Sequence, residues 1–506
     1  MGKTKKIALL LAFLASASLS HGEAAPIPLT LDESIEMALQ THESIDAAEA
    51  SRNAAAWRLS SARRAKGLSF SLQSNAYRIG GRTYRGNRTA HSENPDRYPD
   101  PYENEFSNSM TLTLPLYSGG RLENSIAAGR YGLNAEDLNV ESTLQDVQYQ
   151  TIEAYYDLLQ RKNLMGVSEG AVKMAAEQLR LISDQYSEGA VAKADVLQME
   201  VQLANYRQDF VSAKGNLQVA MYRLARLVGL PQDTDIEPKD LLSYAPFPYS
   251  MEECEAYAIE NRPDSAAARY QVAQAKAQME NEKSGYRPSV SAVLSKSISD
   301  NEPFRSSRGE SWNAGLRLSW NVFDNSVTLA NVHAAKEAVE RYRASAVDTE
   351  KKAILETRSA YARMRAAEEN IRSTSIAVEQ AMESYGIAQV RYEEGVDNLI
   401  HVTDAQEKLT RAQTNYCNAL YNYNLYRATL EKAMGVPVGI SVPRYVAAEQ
   451  SGKSSPKSLE AAAVTREERE AVERGAMDGR ETGESRTGSA AEVAQELSEG
   501  TRGHAQ

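Results

Sequence analysis

The sequence predicts a mainly α-helical protein made of two copies of one unit, each with two short amphipathic strands and a long antiparallel helical hairpin. Three observations carry this. Landmarks recur at a constant offset, four short segments have an apolar residue at every second position, and two long proline-free stretches show heptad spacing.

The duplication sets the boundaries. A shift of about 206 residues superposes Leu112-Thr-Leu-Pro-Leu-Tyr117 on Leu318-Ser-Trp-Asn-Val-Phe323, Tyr186-Ser-Glu-Gly189 on Tyr392-Glu-Glu-Gly395, and Gly229-Leu-Pro231 on Gly435-Val-Pro437. Upstream the shift is about 220, matching Leu31-Asp-Glu to Met251-Glu-Glu and Leu68-Ser-Phe70 to Pro288-Ser-Val290. The first copy thus carries about 14 extra residues, placed in a Gly, Arg, Asn, Pro and Tyr-rich loop from Tyr77 to Ser107. It spans 26–237, with strands at about 68–77 and 108–117 and helices at about 121–187 and 192–229. The second spans 238–449, with strands at about 288–297 and 311–322 and helices at about 326–393 and 397–434.

Each copy opens on a helical segment, Leu31 to Lys66 or Met251 to Lys283, that leads into the first strand. The strands alternate. Leu68, Phe70 and Leu72 share one face, as do Met110, Leu112, Leu114 and Leu116, then Val290, Ala292 and Leu294, then Trp312, Leu316, Leu318 and Trp320. A sheet between lipid and a wet lumen reads this way, and so does an ordinary half-buried sheet.

The helices follow from what is missing and what repeats. No proline occurs between Pro115 and Pro231 or between Pro303 and Pro437. Arg121 to Ser187, as one helix, reaches roughly 100 Å. Ala360, Met364, Ala367, Ile371, Thr374, Val378, Ala381, Tyr385, Ala388 and Tyr392 alternate steps of four and three, which is a coiled-coil seam. The first copy repeats it from Ala154 to Tyr186, interrupted by Arg161 and Ser168. Returning seams run from Val196 to Leu227 and from Val402 to Ala433, and Gly189 and Gly395 mark the hairpin turns.

The chain ends bound its setting. Lys3, Lys5 and Lys6 precede an apolar run from Ile7 to Leu14 and small residues from Ala15 to Ala25, so 1–25 reads as a cleavable signal peptide. No stretch is apolar enough to be a spanning helix, so a membrane role falls to strands or an interfacial face. Residues 450–506 contain no aromatic residue and are expected to be disordered. A formal net charge of -11 argues against nucleic acid as a partner. The pairing of Cys254 and Cys417 is left open. The six histidines have no metal-ligand spacing and no nucleophile or phosphate-loop motif is present, so neither an enzyme nor a cofactor is expected.

Four strands cannot close a barrel, and lipid does not tolerate an open edge, so a membrane reading requires several copies. Eight or twelve strands would close. From about Leu29 to Pro437 the chain resembles the TolC-like outer-membrane efflux family, on its duplicated strand, long helix, Tyr-x-x-Gly turn and Gly-x-Pro end, with Pro-Leu-Tyr-Ser-Gly-Gly120 after the second strand. The resemblance implies a homotrimer in which four β-strands per protomer contribute to a 12-stranded outer-membrane barrel, continued by a periplasmic α-barrel of coiled-coil helices. It also implies a passive exit duct of a tripartite efflux pump or type I secretion system. Its partners would be outer-membrane lipid, a periplasmic adaptor and an inner-membrane transporter.

The family closes its periplasmic end near the second glycine turn. By this resemblance Asp404 supplies a lumen-facing carboxylate ring, Tyr392 is a gate tyrosine and Asp195 is the acidic position of the first turn. Asp397 and His401 also join the gate, but stand where a member has a basic residue and an aspartate. Three copies of His401 near an axis would repel when protonated and loosen the end. Tyr186, Gly189, Gly395 and Val396, at the turns, are the expected adaptor contacts. The aspartates also read as ordinary solvated charges and Tyr392 as seam packing. A soluble periplasmic coiled-coil adaptor or scaffold is the rival reading, and the duplicated strand pairs stand against it.

Overall fold

The computed structural model describes residues 26–78, 80–95, 104–306 and 309–438. The signal peptide at 1–25 and the tail at 450–506 lie outside the described residues. In chain order the elements are β1 (Ile27–Leu29), α1 (Leu31–Thr41), α2 (Glu43–Arg64), β2 (Ser69–Arg78), α3 (Arg82–Glu93), β3 (Asn104–Tyr117), α4 (Arg121–Ser187) and α5 (Lys193–Val228). The second half follows with β4 (Ile236–Pro238), α6 (Met251–Asn261), α7 (Pro263–Lys283), β5 (Ser289–Asp300), β6 (Gly309–Ser319), α8 (Val327–Glu393) and α9 (Leu399–Ala433). The chain divides into two compact units, each drawing on both halves of the sequence.

The unit formed by Glu49–Leu138 and Ala267–Asp348 holds one antiparallel sheet in the order β2-β3-β5-β6. Phe70 lies opposite Leu112 and Val290 opposite Leu318, so the β2–β3 and β5–β6 hairpins have one register once the two repeat shifts are applied. Between β3 and β5, Leu112 faces Leu294, and the register slips between Pro115 and Tyr117, where proline has no N–H for the ladder. The apolar face is bare: Leu316 and Trp312 are 73% and 72% exposed.

Two expectations change. The Tyr77 to Ser107 segment is not all loop, because α3 occupies Arg82–Glu93. Its prolines fall only at 95, 99 and 101, after the helix, which leaves residues 82–93 free of proline. Each opening helical segment is also two helices, broken at His42 and Arg262, whose backbones are extended. In the second copy Pro263 disfavours a helical conformation at Arg262 and starts α7 at its favoured first position.

The other unit comprises residues 26–48, Asn139–Ala266 and residues 349–438. The duplication is visible here as chemistry. Thr30 with Glu33 and Ser250 with Glu253 form reciprocal capping boxes at the starts of α1 and α6. The fully buried Tyr155 donates to the Leu29 carbonyl at 3.0 Å, and its counterpart Tyr361 donates to the Tyr249 carbonyl at 3.2 Å. The Tyr155 proton is shared with Asp240, whose carboxylate is 2.7 Å from the hydroxyl; burial, then that bond, push its phenol well above the usual range. The seams supply the core: Leu158, Ile182, Met199 and Leu224 are buried in the first copy, and Met364, Val402, Tyr423 and Leu430 in the second. Within this unit, α4 also meets α9 through polar contacts. Gln160 donates to Asn418 at 2.8 Å, and the buried Gln406 donates to the Ala171 carbonyl at 3.1 Å.

Arg262 joins three elements. Its guanidinium donates to both Asp264 oxygens at 3.0 and 2.7 Å, to the Ala433 carbonyl at 3.0 Å, and pairs with Glu356 at 2.7 Å. Burial raises the Asp264 carboxyl, but Arg262 outweighs it and holds the group below its ordinary value. A carboxyl depressed by folding stabilises the fold above its unfolded value, and the contribution is lost as pH falls through the folded one. Arg262→Ala is therefore expected to cost about 3 kcal/mol in thermal unfolding of the purified protein. It should also flatten the part of the acid destabilisation that appears below about pH 3.9.

Candidate functional site

The two glycine turns are built alike. Gly189 has φ 77° and Gly395 φ 69°, both left-handed. Gly189 and Ala190 donate to the carbonyls of Tyr186 and Gln185 at 2.9 Å each, and Gly395 and Val396 to those of Tyr392 and Arg391 at 3.0 and 2.9 Å. This is the Schellman closure, which satisfies the last carbonyls of α4 and α8. A Cβ at either glycine would meet open space, so backbone conformation alone selects glycine there.

Beyond the turns the copies diverge. Asn398 caps α9 by accepting from the His401 N–H at 3.3 Å, whereas Ala192 offers α5 no side-chain cap. Asp397 accepts from Arg391 Nε at 3.1 Å and lies 3.4 Å from His401 Nε2. Burial raises the Asp397 carboxyl, yet Arg391 and His401 together hold it below its usual value. His401 thus stands beside a carboxylate of its own chain.

Tyr392 ties the turns together. Its hydroxyl donates to Gln185 Oε1 at 3.1 Å, while its ring packs with Leu399 on a cluster of Ala175, Ile182, Met199 and Leu203. Burial, and then the charge of Asp195, raise its phenol above the ordinary value. The structure therefore brings Asp397 to His401 and Tyr392 to Gln185. Asp404 stands apart, paired with Lys408 at 2.7 Å on the exposed side of α9. Tyr186 and Val396 are exposed, the latter by 66%. Sequence reasoning missed Gln185, Arg391 and Asn398. Asn398 was readable as a helix cap, and Gln185 and Arg391 are counterparts under the repeat shift.

The sheet presents a second surface. Phe70, Leu72, Leu294, Leu316 and Leu318 project from one face and stay exposed. Among the described residues no helix is long and apolar enough to cross a membrane, and no cluster of His, Cys, Asp and Glu has the makings of a metal site.

The sequence matches the family described as outer membrane efflux protein over residues 34–230 and 256–436, one stretch in each copy and together more than half of the chain. The chain belongs to that family. Nodulation protein T of Rhizobium leguminosarum bv. trifolii is 24% identical over 335 residues, covering 65% of this chain and 71% of the relative. Outer membrane protein TolC of Escherichia coli (strain K12) is 22% identical over 358 residues, covering 66% and 70%. The fold of this efflux protein is also that of the outer membrane protein VceC from Vibrio cholerae, with a TM-score of 0.69 and 18% identity. That match covers 80% of this chain and 96% of VceC.

Tyr392→Phe keeps the ring in its cluster and removes one hydrogen bond, a loss of about 1 kcal/mol. Amide exchange in the turns around Gly189 and Gly395 should rise roughly fivefold, which hydrogen exchange of the purified protein would measure.

Proposed function

We propose that this efflux protein is the outer-membrane exit duct of a tripartite pump or type I secretion system, conducting substrates passively. The observation that carries the reading is the four-stranded sheet: one face bears large exposed apolar side chains, and its two edges have no partner strand among the described residues. Three copies give twelve strands, enough to close a barrel around a lumen. The chain acts after its leader at 1–25 is removed, as a homotrimer whose coiled-coil helices form the periplasmic α-barrel. The 67-residue helices α4 and α8 are each roughly 100 Å long, a depth suited to the periplasm.

Closure falls to the hairpin turns. Tyr392 joins the two hairpins of one chain through Gln185, Asp397 and His401 fasten the second turn, Asp195 stands at the first, and Asp404 faces the lumen at the same end. The exposed turn residues Tyr186, Gly189, Gly395 and Val396 dock a periplasmic adaptor that leads to an inner-membrane transporter. TolC and VceC, both named as outer membrane proteins, support this placement.

Fractionated cells should hold the protein in the outer membrane, and purified protein in planar bilayers should conduct. Recovery in the soluble periplasm would sink the duct and favour a coiled-coil scaffold. Combining Tyr392→Phe with Asp397→Asn, which removes both turn fastenings, should raise single-channel conductance several-fold; no change would exclude the turns as the gate.

A further inference from the structure

Among the described residues the sheet ends on two unpaired edges, β2 and β6, and the duplication specifies how they are covered. Inside the chain the last strand of the first copy, β3, pairs with the first strand of the second, β5, with Leu112 opposite Leu294 and Leu114 opposite Ala292. Moving β3 forward by 206 and β5 back by 220 converts that seam into one between β6 and β2, with Leu318 opposite Ser74 and Trp320 opposite Leu72. These strands lie at opposite edges of one sheet, so the pair needs a second chain. The same two shifts already carry the β2–β3 register onto the β5–β6 register without error. The transferred register also keeps the apolar faces on one side, with Trp320 beside Leu72 and Leu316 beside Ala76 around the Leu318–Ser74 pair, whereas a slip of one residue would put Trp320 beside Gln73 or Ser71.

We propose that β6 of one copy pairs antiparallel with β2 of a second copy in this register, Leu318 opposite Ser74. The inference rests on the duct reading and goes beyond it by fixing which residues meet.

The corner after each seam strand gives independent support. Gly119 and Gly120 follow β3 with φ 68° and 93°, and a Cβ at Gly119 would come within 3.0 Å of the Arg287 Cβ and 3.1 Å of the Ser284 carbonyl. Arg287 also donates to the Gly119 carbonyl at 3.2 Å. The corner after β6 keeps the left-handed backbone with side chains present: Asn325 has φ 51° and Ser326 φ 65°. The equivalence is secured by the caps, since Ser118 accepts from Leu122 N–H at 3.1 Å and Asp324 from Thr328 N–H at 2.8 Å. Under the upstream shift, the residue standing where Arg287 stands is Gly67, which is exposed. The side chain has moved from the seat to the corner: glycine against arginine inside the chain, asparagine against glycine between chains. Gly67 of one copy is thus the seat for Asn325 of the next.

Paired cysteines test the register in isolated membranes, with the wild-type chain as the background for Cys254 and Cys417. Under mild oxidation, Leu318→Cys with Ser74→Cys should give covalent dimers and trimers, because directly opposite strand residues fall within disulfide reach. Leu318→Cys with Leu72→Cys, and with Ala76→Cys, should stay mainly monomeric. Efficient linkage of either slipped pair, or of none while the protein sits in the outer membrane, would overturn the register and leave the duct intact. Absence from the outer membrane would instead sink the duct reading and this inference with it. Gly67→Ala should shorten the lifetime of the detergent-resistant oligomer roughly tenfold. Asn325→Gly in the same chain should restore it, and failure of that rescue would remove the corner contact.

Discussion

A backbone N–H or C=O in hydrocarbon must find its partner within protein, and this constraint separates the two kinds of secondary structure in the chain. A helix meets it alone. A strand does not, and a row of four antiparallel strands satisfies its interior while leaving both margins unmet. The exposed apolar face makes water the wrong solvent for this sheet, and the open margins make lipid the wrong solvent for a single copy. Closure by further copies would meet both demands.

The helical unit meets a milder form of the same demand. Its buried polar groups are few and placed where chain segments must be fixed, as with Tyr155 and Tyr361 on the carbonyls that precede the capping boxes. Arg262 secures the end of α9 through the Ala433 carbonyl, and Thr357 donates to the same oxygen at 3.2 Å. Between these points the seams carry the packing, with small residues such as Ala360 and Ala367 letting the helices approach around larger ones such as Met364. The copies therefore share a frame and differ where they turn, with Asp397, Asn398 and His401 present only in the second.

Much of this frame was legible because period and spacing are properties of sequence. The heptad seam through Ala360, Met364, Ala367 and Ile371 coincides with a run of buried core residues. The alternation named the exposed Phe70, Leu72 and Leu318 but left open which solvent they face. What stayed hidden depends on contacts across the fold. The helix α3 lies among residues whose composition suggests a loop, and the break at His42 has no proline to announce it, unlike that at Arg262. At the turns, the resemblance pointed to Asp397, Asp404 and His401 as separate gate charges. The fold pairs Asp397 with Arg391 and His401, and gives Asp404 to Lys408, because helical spacing and the Schellman turn decide which side chains meet.

The duplication also bears on how such a protein assembles. Because β3 and β5 belong to one polypeptide, that seam closes at the high local concentration imposed by the chain connecting them, whereas a seam between chains depends on encounter within the bilayer. A ring made of duplicated chains thus has half its joints formed before any collision occurs. Fewer independent meetings are required than for a ring of single units, and partly built rings are correspondingly fewer.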